Sequence, residues 1–232
     1  MELYAIKYGE SQLDEKYMYR DVHTDEKTLI SWSYFLAKYG NKTILFDVGF
    51  RDQAAADQWG ITLFDVEDEI REVADLNKVD VVFITHSHFD HIDNIDLYPN
   101  SLIMISNDEY VHALQHGKED VQDRLRGENI LTIQDEYIFD EKFKFKVIGG
   151  HTLGSSVIYF EENDKNYVIT GDECYLCNNM LENRPVGICA KTEKNEAFIE
   201  DARQKGLIPL PYHDLKLFHT YKEVSRHIVQ II

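Results

Sequence analysis

A chain of 232 residues is long enough for one well-buried α/β core and short for two, so a single domain spanning residues 1–232 is expected. Its 42 acidic against 24 basic side chains give a formal charge of −18, which repels phosphate backbones and anionic headgroups and argues against nucleic acid and membrane surfaces as partners. With 44% hydrophobic and 12% aromatic residues, that acidity sits on a chain that can still build a core, unlike a disordered acidic tail.

The opening MELYAIKYGESQLDEKYMYR lacks the basic start, apolar stretch and small-residue cleavage site of an export signal, and no later segment is apolar enough to span a bilayer. A soluble, unexported protein is expected. Early β-rich runs at Leu3–Lys7, Ser31–Ala37 and Thr43–Asp47 are separated by polar or glycine-containing turns and predict paired strands. DVEDEIREVA, from Asp65 to Ala74, has acids at its front and apolar Val66, Ile70 and Val73 at helical spacing, which predicts an amphipathic helix. DVVFIT then reads as a buried strand. It is followed by a strand at SLIMIS, a helix from Asp108 to His116, and strands at Phe143–Ile148, Ser156–Phe160 and Tyr167–Thr170. The closing portion offers helices at Asn195–Lys205 and Tyr221–Gln230, with the short apolar run LIPLPY between them. Strands in both halves, with helices that need faces to cover, suggest two packed sheets with helices outside. Cys174, Cys177 and Cys189 form an odd, clustered set, unlike a disulfide scaffold, and fit a reducing cytoplasm. Cys174 and Cys177 make a C-x-x-C pair without a thioredoxin-like helix start and are read as ordinary thiols.

The segment VVFITHSHFDHID packs three imidazoles and a carboxylate into six residues directly after a buried strand. In extended chain His86 and His88 project to the same side and can reach one ion, whereas Asp90 and His91 fall elsewhere on the turn. That arrangement favours two neighbouring metals. Imidazole and carboxylate without thiolate suit zinc, and also iron, manganese or cobalt.

HSHFDH resembles the HxHxDH signature of the metallo-β-lactamase superfamily, which implies a four-layer αββα sandwich and two divalent metal ions. By the same resemblance, His151 in IGGHTLGSS would complete the first ion's set together with His86 and His88. Asp172 in ITGDECY would bridge both ions, and His213 in PLPYHDL would join Asp90 and His91 on the second. His219 and His227 compete for that last place, but His213 follows a strand end and is preferred. Asp47 in ILFDVGF corresponds to an aspartate that supports the metal loops without binding metal. Two ions so held would make hydroxide available near neutral pH and polarise a substrate carbonyl, with Asp90 as acid/base.

Within the superfamily the chain is most similar to the N-acyl homoserine lactone lactonases. The carrying features are the HxHFDH motif, the GHT-type loop, the final pair His213-Asp214, and Tyr175 three residues after Asp172. The resemblance implies hydrolysis of a small lactone or ester, with the Tyr175 phenol donating to the developing oxyanion. Relatives of this kind are often dimers, so a homodimer is a compatible state. Two positions depart: Ser155 stands where lactonases typically have a second histidine, and IDNI follows the signature in place of a Gly-Gly pair. Trp59, Phe64, Met180 and Leu181 are candidate walls for an acyl chain. The alternatives are a glyoxalase II-like thioesterase, for which only scattered Lys216, Lys222 and Arg226 are on hand near the C-terminus, and a non-catalytic metal-binding sensor module.

Overall fold

The computed structural model describes residues 1–232. Its first strands are β1 (Glu2–Asp14), β2 (Lys27–Tyr39), β3 (Lys42–Phe46), β4 (Thr62–Leu63), β5 (Val81–Phe83), β6 (Leu102–Ser106) and β7 (Ile130–Ile133). They are followed by β8 (Glu136–Phe139), β9 (Phe143–Val147), β10 (Ser156–Glu162), β11 (Lys165–Ile169), β12 (Ile208–Leu210), β13 (Lys222–Glu223) and β14 (Ile228–Gln230). One sheet runs β13-β14-β1-β2-β3-β5-β6-β7, with β4 pairing β1, and the other runs β12-β11-β10-β9-β8.

The first sheet begins antiparallel, β1 lying along β2 from Glu2 opposite Lys38 to Asp14 opposite Lys27. β2 turns into β3 through Gly40, whose positive φ of 60° suits a two-residue hairpin turn. From β3 onward the pairing through β5, β6 and β7 is parallel. In the second sheet only β11 and β12 are parallel. The functional segments follow from this. Asp47 leaves the C-terminal end of β3, His86 that of β5, Asp172 that of β11 and His213 that of β12, so four chain segments issue from carboxyl ends of parallel strands, where open α/β sheets place their ligands.

The sheets face each other through one cluster of buried side chains. Phe46 and Phe83 stack at 5.3 Å in the first sheet, and Phe143 of the second lies 5.4 Å from Phe46. Phe143 is fully buried, so its truncation to alanine would cost about 3–5 kcal/mol. On the far side of the second sheet, Val157 and Val168 meet Phe198, Ile199 and Ala202 of the helix Thr192–Gln204. The helix Asn107–His116 lies against β6 and β7 of the first sheet. The layers are those of the αββα sandwich. No helix is long and apolar enough to cross a membrane.

Two expectations are corrected. The helix expected over Tyr221–Gln230 is instead the strand pair β13 and β14, because Ile228, Val229 and Gln230 take up the free edge of β1 opposite Ile6, Ala5 and Tyr4. The helix expected from Asp65 to Ala74 is a short Glu67–Arg71, although Val66, Ile70 and Val73 are buried as their spacing required.

Candidate metal centre

Each histidine of the signature is set by where the chain leaves β5. Thr85 lies two residues past the end of β5, and its backbone N–H and hydroxyl both donate to Asp47, at 2.7 and 2.6 Å. His86 and His88 then project to one side, and the short helix Phe89–Ile92 turns Asp90 and His91 to the other. His86 Nε2 and His88 Nδ1 are 2.9 Å apart, and His151 Nε2 lies 3.1 Å from His88 Nδ1. Asp172 Oδ2 is 3.9 Å from His86 Nε2 and 3.6 Å from His151 Nε2. On the other side, Asp172 Oδ1 is 3.2 Å from His91 Nε2 and 3.3 Å from His213 Nε2. Asp90 Oδ2 sits 3.1 Å from His91 Nε2 and 3.6 Å from His213 Nε2.

Two convergent groups therefore lie side by side, His86/His88/His151/Asp172 and Asp90/His91/His213, with Asp172 turning one oxygen to each. All seven residues singled out from the sequence as ligands are brought together. His227 is not among them; it pairs with Glu69 at 2.6 Å, and His219 is exposed.

The donor set fits a pair of cations. His91 Nε2 and Asp172 Oδ1 are buried and find no hydrogen-bond partner in the protein, a state that coordination would relieve. Outer nitrogens are anchored so that inner ones keep their lone pairs directed inward. His91 Nδ1 meets Asp47 Oδ2 at 2.7 Å, His213 Nδ1 meets the Ser31 carbonyl at 3.0 Å and His151 Nδ1 meets the Ile188 carbonyl at 2.9 Å. Small side chains at Ser31 and Ser33 let the Tyr212–His213 segment lie on β2, where both hydroxyls donate to the Tyr212 carbonyl.

Charge is arranged to the same end. Burial, helped by neighbouring His91 and His88, pushes His86 well below its ordinary value, leaving it neutral. Burial opposes ionisation of Asp172, but His91 and His213 outweigh it and hold the carboxyl well below the usual range. Burial also disfavours charge on His91, yet Asp90, Asp172 and Asp47 outweigh it and hold that imidazole well above its ordinary value. A proton on His91 thus answers the carboxylates where a cation would otherwise do so.

A cavity of about 290 Å³ opens over the two groups, with Leu13, Tyr17, Trp32, Trp59, Phe89 and Ile188 as its apolar walls. His88, Asp90, His151, Asp172, Tyr175 and His213 complete its lining, and no Lys or Arg takes part. Trp59 stacks on Phe89 at 6.0 Å. The Tyr175 ring stacks on His213 at 5.1 Å, and burial first, then Asp172 and Asp90, pushes its phenol well above its ordinary value. Of the four residues expected as acyl-chain walls only Trp59 lines this cavity. Phe64 is drawn away to stack on His227 at 4.5 Å, Met180 is buried beneath the second sheet, and Leu181 points to solvent.

Sequence reasoning missed Trp32, Leu13 and Tyr17, which come from the first strand pair and the short helix Glu15–Met18 that joins its strands; nothing local marks them as cavity residues. The departures from the lactonase pattern have local explanations. Asn94 donates to the Val48 carbonyl at 3.1 Å, and Asp93 pairs with Lys118 at 2.8 Å, so side chains fasten the turn after the signature.

The sequence model of the metallo-beta-lactamase superfamily matches residues 27–213. A probable metallo-hydrolase of Methanocaldococcus jannaschii is 34% identical over 115 residues, 47% of this chain and 44% of that protein. An RNase J-like protein of the same organism is 32% identical over 116 residues, 45% of this chain and 27% of that one. The match therefore spans less than half the length of either curated relative. Among solved structures, an N-acyl homoserine lactone hydrolase with N-hexanoyl-L-homoserine at its catalytic metal centre superposes with a TM-score of 0.79 at 18% identity, over 96% of this chain and 97% of that one. A dizinc quorum-quenching lactonase gives 0.70 at 16% identity, over 99% and 93%. A probable metal-dependent hydrolase from Staphylococcus aureus gives 0.75 at 16%, over 91% and 88%. At these identities the three superpositions speak for the fold.

Proposed function

The chain belongs to the metallo-β-lactamase superfamily, and from that premise we propose that it is a two-metal hydrolase opening the lactone ring of N-acyl homoserine lactones or similar uncharged esters. His86, His88 and His151 would hold one ion, Asp90, His91 and His213 the other, and Asp172 both. Zinc suits the nitrogen-rich donors best, with iron, manganese and cobalt compatible. When bound, such a pair supplies an activated water near neutral pH and polarises the scissile carbonyl.

The chain's own groups do the rest. Asp90, on the cavity wall, is placed to accept a proton at a carboxylate oxygen and return it to the leaving alkoxide. The Tyr175 phenol remains protonated across the neutral range, so its hydroxyl can donate to the carbonyl oxygen as charge builds there. Stacking on His213 fixes the ring that carries it. The aromatic walls exclude water and favour an acyl tail.

The observation that carries this reading is the pairing of a shared-aspartate donor set with a cavity free of Lys and Arg. A glutathione thioester carries carboxylates remote from its thioester and would meet no cationic side chain there; Lys216, Lys222 and Arg226 are exposed and outside the lining. The three cysteines are free, which suits a reducing compartment such as the cytoplasm.

The test is a paired assay on protein of measured metal content: ring opening of N-acyl homoserine lactones of several chain lengths, beside hydrolysis of S-lactoylglutathione. Saturable lactone turnover at two metals per chain is the expected result. Thioester turnover alone would move the substrate to the glyoxalase-like branch, and loss of all turnover at full metal loading would refute the enzyme reading.

A further inference from the structure

Two buried carboxylates outside the donor set grip the segments that carry it. Glu109, on the helix Asn107–His116, is 3% exposed, and Glu173, next to Asp172, is fully buried. A buried carboxylate is tolerated only when its oxygens are well supplied with donors. Glu109 Oε2 accepts from the Ser87 backbone N–H at 2.7 Å and the Ser87 hydroxyl at 2.6 Å. Its Oε1 accepts from the Thr152 hydroxyl at 2.6 Å and the Gly154 N–H at 3.0 Å. Glu173 Oε1 accepts from the N–H groups of Gly150 and His151 at 2.9 and 3.0 Å and from the Ser155 hydroxyl, while Asn195 Nδ2 donates to Oε2 at 2.7 Å.

Ser87 lies between His86 and His88, Thr152 follows His151, and Glu173 follows Asp172. The two glutamates therefore tie together every segment that supplies the His86/His88/His151/Asp172 group. The loop sequence GGHTLGSS fits this use. A Cβ at Gly150 would come within 2.3 Å of Glu173 Oε2, and one at Gly154 within 2.4 Å of Ser106 Oγ and 2.9 Å of Asp108 Cβ and Glu109 Cγ, so the first glycine makes room for Glu173 and the second for the start of the helix that carries Glu109. Ser155, where lactonases typically carry histidine, supplies the one hydroxyl that donates to Glu173. Neither glutamate contacts the other group, whose His91 and His213 take Asp47 and the Ser31 carbonyl on their outer nitrogens, as His151 takes the Ile188 carbonyl.

We propose that Glu109 and Glu173 are positioning residues for the His86/His88/His151 half of the centre, setting its metal affinity without touching the ion. The inference rests on the two-metal reading above. In Glu109→Gln the amide NH₂ must face either the Ser87 donors or the Thr152 and Gly154 donors, and in Glu173→Gln either Asn195 Nδ2 or the loop donors of Gly150, His151 and Ser155, so each variant weakens a tie between the segments of this half while the other half keeps its partners.

The experiment is calorimetric titration of metal-free wild type, E109Q, E173Q and the milder Thr152→Val with zinc, with metal counted per chain and melting of each metal-free protein recorded. Wild type should show two binding events. In E109Q and E173Q one event should weaken by about 10–100-fold while the other is retained, and Thr152→Val should weaken the same event by less. Two unchanged events in folded variants would overturn the clamp alone. Equal weakening of both events in variants whose metal-free melting also falls would overturn it too, because that is what a general structural role predicts. A wild type that takes up no metal would overturn the two-metal reading and the clamp with it.

Discussion

Asp47→Asn isolates the part of the centre that depends on one buried carboxylate. Asp47 is fully buried, and its φ of 58° lies in the left-handed region that asparagine also tolerates, so the substitution leaves the turn intact and changes only charge and hydrogen bonding. Three donors converge on the carboxylate: Thr85 N and Oγ1, and His91 Nδ1. Asparagine offers one oxygen in place of two. If that oxygen stays with Thr85 N, the new NH₂ faces His91 Nδ1 and drives the imidazole proton to Nε2, the atom otherwise free to meet a metal. The lost bond is of the charged type, worth about 1.5–3 kcal/mol, which corresponds to about a 10–100-fold loss in metal affinity. Thr85 Oγ1 also lies 3.2 Å from His86 Nδ1, so the perturbation reaches both halves of the centre. Competition against a chromophoric chelator, with melting of the metal-free variant as a control, measures it. Wild-type affinity for both ions in D47N would refute the argument that Asp47 sets the imidazole tautomer.

Tyr175→Phe keeps the ring on His213 and removes one donor, so kcat for lactones should fall by about 100-fold with KM little changed; steady-state kinetics at equal metal content checks this, and an unchanged kcat removes Tyr175 from the reaction. Saturation of one of the two sites with zinc at about 100 times its dissociation constant should add about 2.7 kcal/mol of stability. For a chain of this length that raises the melting temperature by roughly 5–10 °C, and chelator should reverse the shift in a thermal scan. Glu69 is pushed up by its partial burial, but bonds from Ser225 and His227 outweigh that and hold it below its ordinary value of 4.5. A depressed carboxyl contributes stability that is fully present above its unfolded-chain value and is lost as pH falls through the folded one. E69Q should therefore be less stable than wild type above pH 4.5, with the gap closing on acidification; denaturant melts across the acid range test the sign.

What could be read from the sequence was whatever is written in adjacent residues. HSHFDH declares its chemistry because three imidazoles and a carboxylate are contiguous, and the buried runs around it declare strands by composition. His151, Asp172 and His213 were legible only in relation to that motif, since each alone is an ordinary loop residue. The C-terminal segment misled because Val224 and Ile228 are spaced as on one helical face, yet its conformation is decided by the unpaired edge of β1 and by Glu69, which takes the His227 N–H at 2.9 Å. Local periodicity competes there with an edge that no local window contains.

The supporting residues fail to announce themselves for a related reason. Glu109 acts on Ser87 and Thr152 from 22 and 43 residues away, and nothing in NDEYVHALQH distinguishes it from a surface glutamate on a helix. Its only trace in the sequence lies on its partners, as a glycine where a side chain would collide. Gly150 and Gly154 bracket His151, and their absent Cβ atoms are the imprint of Glu173 and of the Ser106–Glu109 helix start on the loop. Ligands are thus recognised by what they present, and the groups that aim them by what their neighbours leave out.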